Sequence, residues 1–279
     1  MRHTASRFHV GAQLVLFQCG FCRTANLMRY SRSGEYKLPG RLYRLAGNLA
    51  LRMVPWVPSR VRDRFVRSRS YYQVFGDTEV GDHQGLSIMK WEAMQMPSDL
   101  KGKSVIDIGC AEGFFCQECG KRGAGPVLGV DSSLGRLICA SAIALKEGLN
   151  IRYRMGVFPD VEVRGTFDYV LCLSVLHHSL SKKDFWKVLL MEEFTNELAI
   201  LRRQLKRLRS LTADKGKCIL EIPYEYDDPG VERKAVDFKI LTAELNTAGF
   251  ASSRCLGAWD YNPEHRVFKD RIIYVAEAG

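Results

Sequence analysis

The stretch Ser104–Ser133, SVIDIGCAEGFFCQECGKRGAGPVLGVDSS, decides how the chain folds. SVIDIG (104–109) and PVLGVD (126–131) are apolar runs too short for helices and read as strands. Each carries an acid near its end, Asp107 and Asp131. FFCQECGKRG (114–123) between them reads as a helix, entered through a turn holding Gly109 and Gly113. Strand, glycine turn, helix and second strand make one βαβ unit, whose strands lie parallel.

The alternation continues outward. LGRLICASAIALKEG (134–148) is predicted helical and closes at Gly148. IRYRMG (151–156), FDYVLCLSV (167–175) and KCILEIP (217–223) are predicted strands, and DFKILTAELNTAGF (237–250) a helix. ASSRCLGAW (251–259) and RIIYVAEA (271–278) have no helix between them and should pair antiparallel. The expected fold class is therefore α/β: a doubly wound, Rossmann-like sheet, mostly parallel with an antiparallel C-terminal hairpin. A helical pattern over 183–211 has an acidic front and a basic back, which complements the helix dipole and also suits a lid, a dimer arm or an RNA contact.

Charge divides the chain. Residues 1–69 hold fourteen Lys and Arg against Glu35 and Asp63, a net +12, while the whole chain is +10. The basicity thus belongs to an N-terminal extension, residues 1–70, expected as short helices broken by Gly and Pro. Within it LYRLAGNLALRMV (42–54) has helical apolar spacing with Arg on the other face. Such a segment suits packing on the main body, an anionic membrane surface or RNA. Residues 71–100 are expected as a connector or lid segment, and 101–279 as the main domain. The acid-poor, Arg-rich start also resembles an organelle transit peptide.

No run reaches the ~18 apolar residues of a membrane span. Nine cysteines, an odd number lying mostly inside apolar runs, argue for a reducing compartment and a cytoplasmic location. The CxxC pairs Cys19–Cys22 and Cys116–Cys119 do not supply the four ligands of a structural zinc site at a familiar spacing, so no metal is expected.

Ligands of doubly wound sheets sit beyond the carboxyl ends of the strands. Asp131, closing the second strand, suits a ribose diol, because two hydroxyls can donate to one carboxylate. A dinucleotide site would show G-x-G-x-x-G and leave room for a pyrophosphate. Here the spacing is Asp107-x-Gly109-x-x-x-Gly113, and an acid ahead of the first glycine suits a cationic ligand. S-adenosylmethionine (SAM), with an ammonium, a sulfonium and no phosphate, fits.

These residues resemble the class I SAM-dependent methyltransferases over roughly 97–279. The family's D/E-x-G-x-G-x-G stands as Asp107-Ile-Gly109-Cys110-Ala111-Glu112-Gly113, with Ala111 at the middle glycine. The resemblance implies that this loop wraps the methionine part of SAM and that Asp131 holds the ribose. Ser132 and Ser133 would flank the adenine, and Gly156 and Val157 would meet its edge. Ser174, with Cys172, Leu173 and Val175, would lie beside the methyl group. It also implies S-adenosylhomocysteine as the product.

Lys90-Trp91 ahead of DLKGKSVIDIGC, then GVDSS, MGV and VLHHS, further resembles the tRNA wobble-uridine enzyme that uses carboxy-SAM, and methyltransferases of glycan and natural-product clusters. Where the wobble enzyme has a tyrosine after the fourth-strand Leu, this chain has His177, which argues for ordinary SAM.

An oxygen or nitrogen acceptor often needs a base. His177 and His178, after the fourth strand, are the candidates, since imidazole titrates near neutrality. Glu221 and Tyr224 end the fifth strand, and His83, Lys90 and Trp91 lie in the connector, as candidate acceptor-binding residues. The expected substrate is a small molecule, lipid or glycan, with RNA as an alternative. A non-catalytic partner protein is the reading from another class. A nicotinamide oxidoreductase is disfavoured by the fingerprint spacing.

Overall fold

The computed structural model describes residues 40–67, 73, 86–176, 196–223, 225–226, 234–235, 238–260 and 270–279. The chain divides into two compact units, Met1–Ala50 and Leu51–Gly279.

The elements in chain order begin with α1 (Gly40–Met53), a 3-10 turn (Val54–Trp56), α2 (Ser59–Arg67) and α3 (Leu86–Ala93). Then follow β1 (Val105–Ile108), α4 (Phe114–Lys121), β2 (Val127–Asp131), α5 (Leu134–Lys146), β3 (Ile151–Met155) and β4 (Phe167–Leu173). Beyond these lie α6 (Asn196–Leu211), β5 (Thr212–Pro223), the short strands β6 (Glu225–Tyr226) and β7 (Lys234–Ala235), α7 (Phe238–Ala248), β8 (Ser252–Asp260) and β9 (Asp270–Glu277).

Seven strands form one sheet in the order β3-β2-β1-β4-β5-β9-β8. The first five run parallel, and β9 enters antiparallel between β5 and β8. The mostly parallel sheet with its antiparallel C-terminal pair is the architecture expected from the alternation. The strand order reverses between β1 and β4, which opens a crevice beyond their carboxyl ends.

All four residues of β1 are buried, because both faces of the sheet are covered. Ile106 and Ile108 join the cluster formed with Leu201, Leu205 and Leu208 of α6 and Leu241 and Leu245 of α7. Asp107, with the opposite parity, faces α4, where Cys116 Sγ lies 3.7 Å from its carboxylate. The 3-10 turn, with Val54 buried, and α2 pack against α5. Entry into β1 is pinned to β4 by Asp168, whose Oδ2 accepts from the Ser104 amide at 2.9 Å and hydroxyl at 2.7 Å. These bonds, the backbone one first, hold the Asp168 carboxyl below its usual range.

Two expectations change. β5 begins at Thr212, directly after α6, rather than at Lys217. The pairing of Thr212 with Phe167 shifts register before Lys217 meets Tyr169, so TADKG, which reads as turn chemistry, forms an irregular strand start with Lys215 at φ +61°. The basic end of the long helical pattern does not protrude. Within α6, Leu198, Leu201, Leu205 and Leu208 are buried, and the arginines bind the protein itself. Arg202 makes a bidentate pair with Glu244 of α7 at 2.7 and 2.8 Å. Arg207 donates to the Val161 and Val163 carbonyls, and Arg209 to those of Gly249 and Thr212. Residues 183–195 of that pattern lie outside the described residues.

Leu205 is fully buried in this cluster. Leu205→Ala should destabilise the protein by about 2–5 kcal/mol through lost apolar contact and a residual cavity. Urea denaturation followed by circular dichroism measures it, and a change under about 1 kcal/mol would contradict the packing described.

Candidate functional site

The loop after β1 is tied down at both ends. The amides of Gly109 and Cys110 both donate to the Val130 carbonyl, at 2.7 and 2.9 Å. The backbone has positive φ at Gly109 (+75°), Ala111 (+49°) and Gly113 (+84°). At Gly109 a Cβ would collide with the Val175 side chain, which places the β1 loop against the segment after β4 at the strand-order reversal. At Gly113 a Cβ would meet Tyr153 Oη at 2.6 Å. Ala111 therefore bears the left-handed conformation with a side chain, where a glycine would adopt it freely. Ala111, at the family's middle glycine, thus carries a conformational cost.

Asp131 joins the two loops. Its Oδ2 accepts from the Ala111 amide at 3.0 Å and its Oδ1 from the Ser133 amide at 2.7 Å. Each carboxylate oxygen retains a second lone pair for a ligand hydroxyl. The Gly156 amide donates to the Asp131 carbonyl at 2.9 Å, bringing the end of β3 to the same rim. Ser132 and Val157 are exposed at this rim, whereas Cys110 is buried beneath it.

Asp107 lies below the loop. Burial raises its carboxyl pKa to about 8, opposed by the Cys116 thiol and reinforced by the Asp131 charge. A buried acid of this kind is stabilised in its ionised form by a cation. The two carboxylates thus fit a ligand with an ammonium group and a ribose, which is the chemistry of SAM.

A second cluster lies at the ends of β4 and β5. Glu221 is fully buried, and its Oε2 meets Lys90 Nζ at 3.0 Å and Arg271 Nη1 at 3.4 Å. The Ser174 hydroxyl also donates to that oxygen and accepts from Arg271. Glu221 Oε1 has no hydrogen-bond partner among the described residues. Burial works to raise the Glu221 pKa, but Lys90 and Arg271 prevail and hold it below its ordinary value. The structure therefore brings Lys90, Ser174 and Glu221 together, from α3, the post-β4 segment and β5.

Trp91, next to Lys90, is not part of this cluster. The Arg122 guanidinium stacks over its ring at 4.3 Å, so it fastens α3 to the end of α4. His83, His177, His178 and Tyr224 lie outside the described residues. Among the described residues, no group of three His, Cys, Asp or Glu is placed to hold a metal, and Cys116 and Cys119 are buried in α4.

Two residues of this region escaped the sequence reading. Arg271 opens an apolar strand and is aligned with the end of β5 by the antiparallel register Pro223↔Arg271. Gln73 is buried in the connector, and its Oε1 accepts from the Phe114 amide at the start of α4. Neither has a local motif.

Fold and site together define a Rossmann-like domain with a polar rim around Asp131 beyond the carboxyl ends of β1 and β2. Residues 105–193 match the family model described as a methyltransferase domain. This match and the fold support the class I, SAM-dependent methyltransferase family that the sequence resembles. It is 38% identical over 79 residues to a ubiquinone biosynthesis O-methyltransferase of Nitrobacter winogradskyi, covering 28% of this chain and 30% of that one. A second such protein, from Chromobacterium violaceum, is 30% identical over 104 residues, 37% of this chain and 44% of that one. The match thus spans 30% and 44% of the length of these two curated relatives. The N-terminal domain of EvdMO1, solved with S-adenosylhomocysteine (SAH) bound, shares the fold with a TM-score of 0.53 at 18% identity, over 79% of this chain and 96% of that one.

Replacing Glu221 by Gln removes the carboxylate that pairs with the buried Lys90 and Arg271, which should cost about 3–5 kcal/mol at neutral pH. Because its folded pKa is depressed, Glu221 stabilises the wild type above the ordinary value of 4.5, and that contribution is lost as pH falls through the lower folded value. Urea titrations should therefore show the gap between wild type and Glu221→Gln closing in acid. An equal gap at neutral and strongly acid pH would remove the ion cluster as its cause.

Proposed function

We propose that the domain transfers a methyl group from SAM to an oxygen of a small-molecule acceptor, leaving SAH. The observation that carries this reading is the meeting of the β1 loop with the post-β4 segment at Gly109 and Val175, with Asp131 on one side and the Glu221 cluster on the other. When bound, SAM supplies an electrophilic methyl on a sulfonium. Asp107 accounts for the ammonium, Asp131 for the ribose hydroxyls, and Ser132, Gly156 and Val157 for the adenine end. Gly109, Cys110, Ala111 and Gly113 shape the backbone around the methionine part.

Lys90 and Arg271 both pair with Glu221 and place two cationic side chains beside the post-β4 segment. Such charge favours an acceptor oxygen as it loses its proton. His177 or His178 is the proposed base, by sequence position. The names of the O-methyltransferase relatives support oxygen over nitrogen. The finer branch, wobble-uridine-like or glycan- and natural-product-like, rests on the sequence resemblance alone. A cytoplasmic location is likewise proposed from composition.

Asp131→Ala should weaken SAM binding about tenfold or more, because a charged acceptor is removed from the ribose site. Isothermal calorimetry measures this, and unchanged affinity would refute the assignment. His177→Ala or His178→Ala should lower turnover about a hundredfold with SAM affinity retained. Full turnover in both variants would place the base elsewhere. Turnover is read with methyl-labelled SAM in a cell extract separated into RNA, protein, lipid and small-molecule fractions. Label in the RNA fraction would overturn the small-molecule reading.

A further inference from the structure

α1 carries an apolar stripe on its surface. Leu42, Leu45, Leu49 and Met53 are all exposed, and Trp56 of the following 3-10 turn is 81% exposed. The spacing of three or four residues puts them on one side of the helix. Leu51 and Val54, on the other side, are buried. The stripe is therefore distinct from the face that packs.

The charge around it has one sign. Residues 40–67 contain seven arginines and one acid, Asp63. Arg44 and Arg52 precede or follow stripe residues on α1, and Arg60 and Arg64 continue the positive charge along α2. The arginines of α6 engage carboxylates and carbonyls of the domain, so they do not form a second cationic surface of this kind.

We infer that α1 and the 3-10 turn dock on an anionic lipid surface, with Leu45, Leu49 and Trp56 in the headgroup and acyl boundary and the arginines at the phosphates. Apolar face, arginines and an exposed tryptophan beside them match the chemistry of an interfacial helix. A second copy of the chain does not, because it would bring two strongly positive segments together. RNA accounts for the arginines but leaves five exposed apolar side chains without a role.

The test uses the full chain and sedimentation with large vesicles, either pure phosphatidylcholine or an equimolar mixture with phosphatidylglycerol. The wild type should co-sediment with the mixed vesicles and far less with the neutral ones. The triple variant Leu45→Gln, Leu49→Gln, Trp56→Gln keeps helix-forming residues and the buried face, and should lose about tenfold or more in partitioning. Arg44→Glu with Arg52→Glu should abolish the preference for the anionic mixture. The inference is overturned if the wild type stays in solution with both vesicles, if the triple variant sediments like the wild type, or if the wild type binds both compositions equally. Calorimetric SAM binding is read separately on the same proteins. Intact SAM affinity without vesicle binding counts against this inference alone, and the reverse counts against the proposed function alone.

Discussion

The site depends on one carboxylate. Asp131 accepts the Ala111 amide with one oxygen and the Ser133 amide with the other, and so joins the loops after β1 and β2. The β1 loop needs that anchor, because it passes through three left-handed conformations in five residues, one of them at an alanine. Such backbone persists only where the surroundings over-determine it. The Val130 carbonyl, accepting two amides, and Asp131 together supply that constraint. The same carboxylate is the proposed ribose acceptor, so the geometry of the loop and the affinity for the nucleoside cannot be tuned independently.

The Glu221 cluster poses the opposite problem. A buried ion group gains Coulomb energy only against a large desolvation cost, and well-packed apolar residues often serve stability as well. Stability is therefore a weak reason for burying Lys90, Glu221 and Arg271. Their placement supplies a better one. The three residues come from the connector helix α3, the end of β5 and the start of β9, and Ser174 adds the end of β4. The cluster fixes the connector to the sheet rim where the acceptor is proposed to bind, and it carries charge there without exposing it to water. Low local dielectric makes such charge more effective on a reacting oxygen than the same charge at the surface.

Much of this was legible in the sequence because the signals are local. Short apolar strands alternating with helical spacing fixed the sheet class, and Gly109, Gly113 and Asp131 marked the rim where the structure places them. What was illegible depends on register and on distant partners. Arg271 reaches Glu221 only because β9 runs antiparallel to β5 with Pro223 opposite it. Trp91 looked like an acceptor contact from its neighbour Lys90, but adjacent helical residues diverge, and Arg122 thirty-one positions away takes its ring. The start of β5 was hidden because TADKG has turn composition, while its strand character comes from pairing with Phe167. Tertiary context overrode local propensity there.

The distribution of positive charge also takes its meaning from the structure. Arginines on α6 and at the N-terminal segment look equivalent in the sequence, yet they meet different fates. On α6 they neutralise Glu244, meet Asp160 and bind the carbonyls of Val161, Val163, Thr212 and Gly249, which holds the helix to its neighbours. Over 40–67 a single acid is available to seven arginines, so internal neutralisation is arithmetically impossible within that segment. Uncompensated like charge destabilises a compact surface unless an external anion relieves it. An exposed apolar stripe incurs a hydration cost of its own. An anionic bilayer would relieve both at once, and the proposed docking rests on that coincidence in one segment rather than on either feature alone.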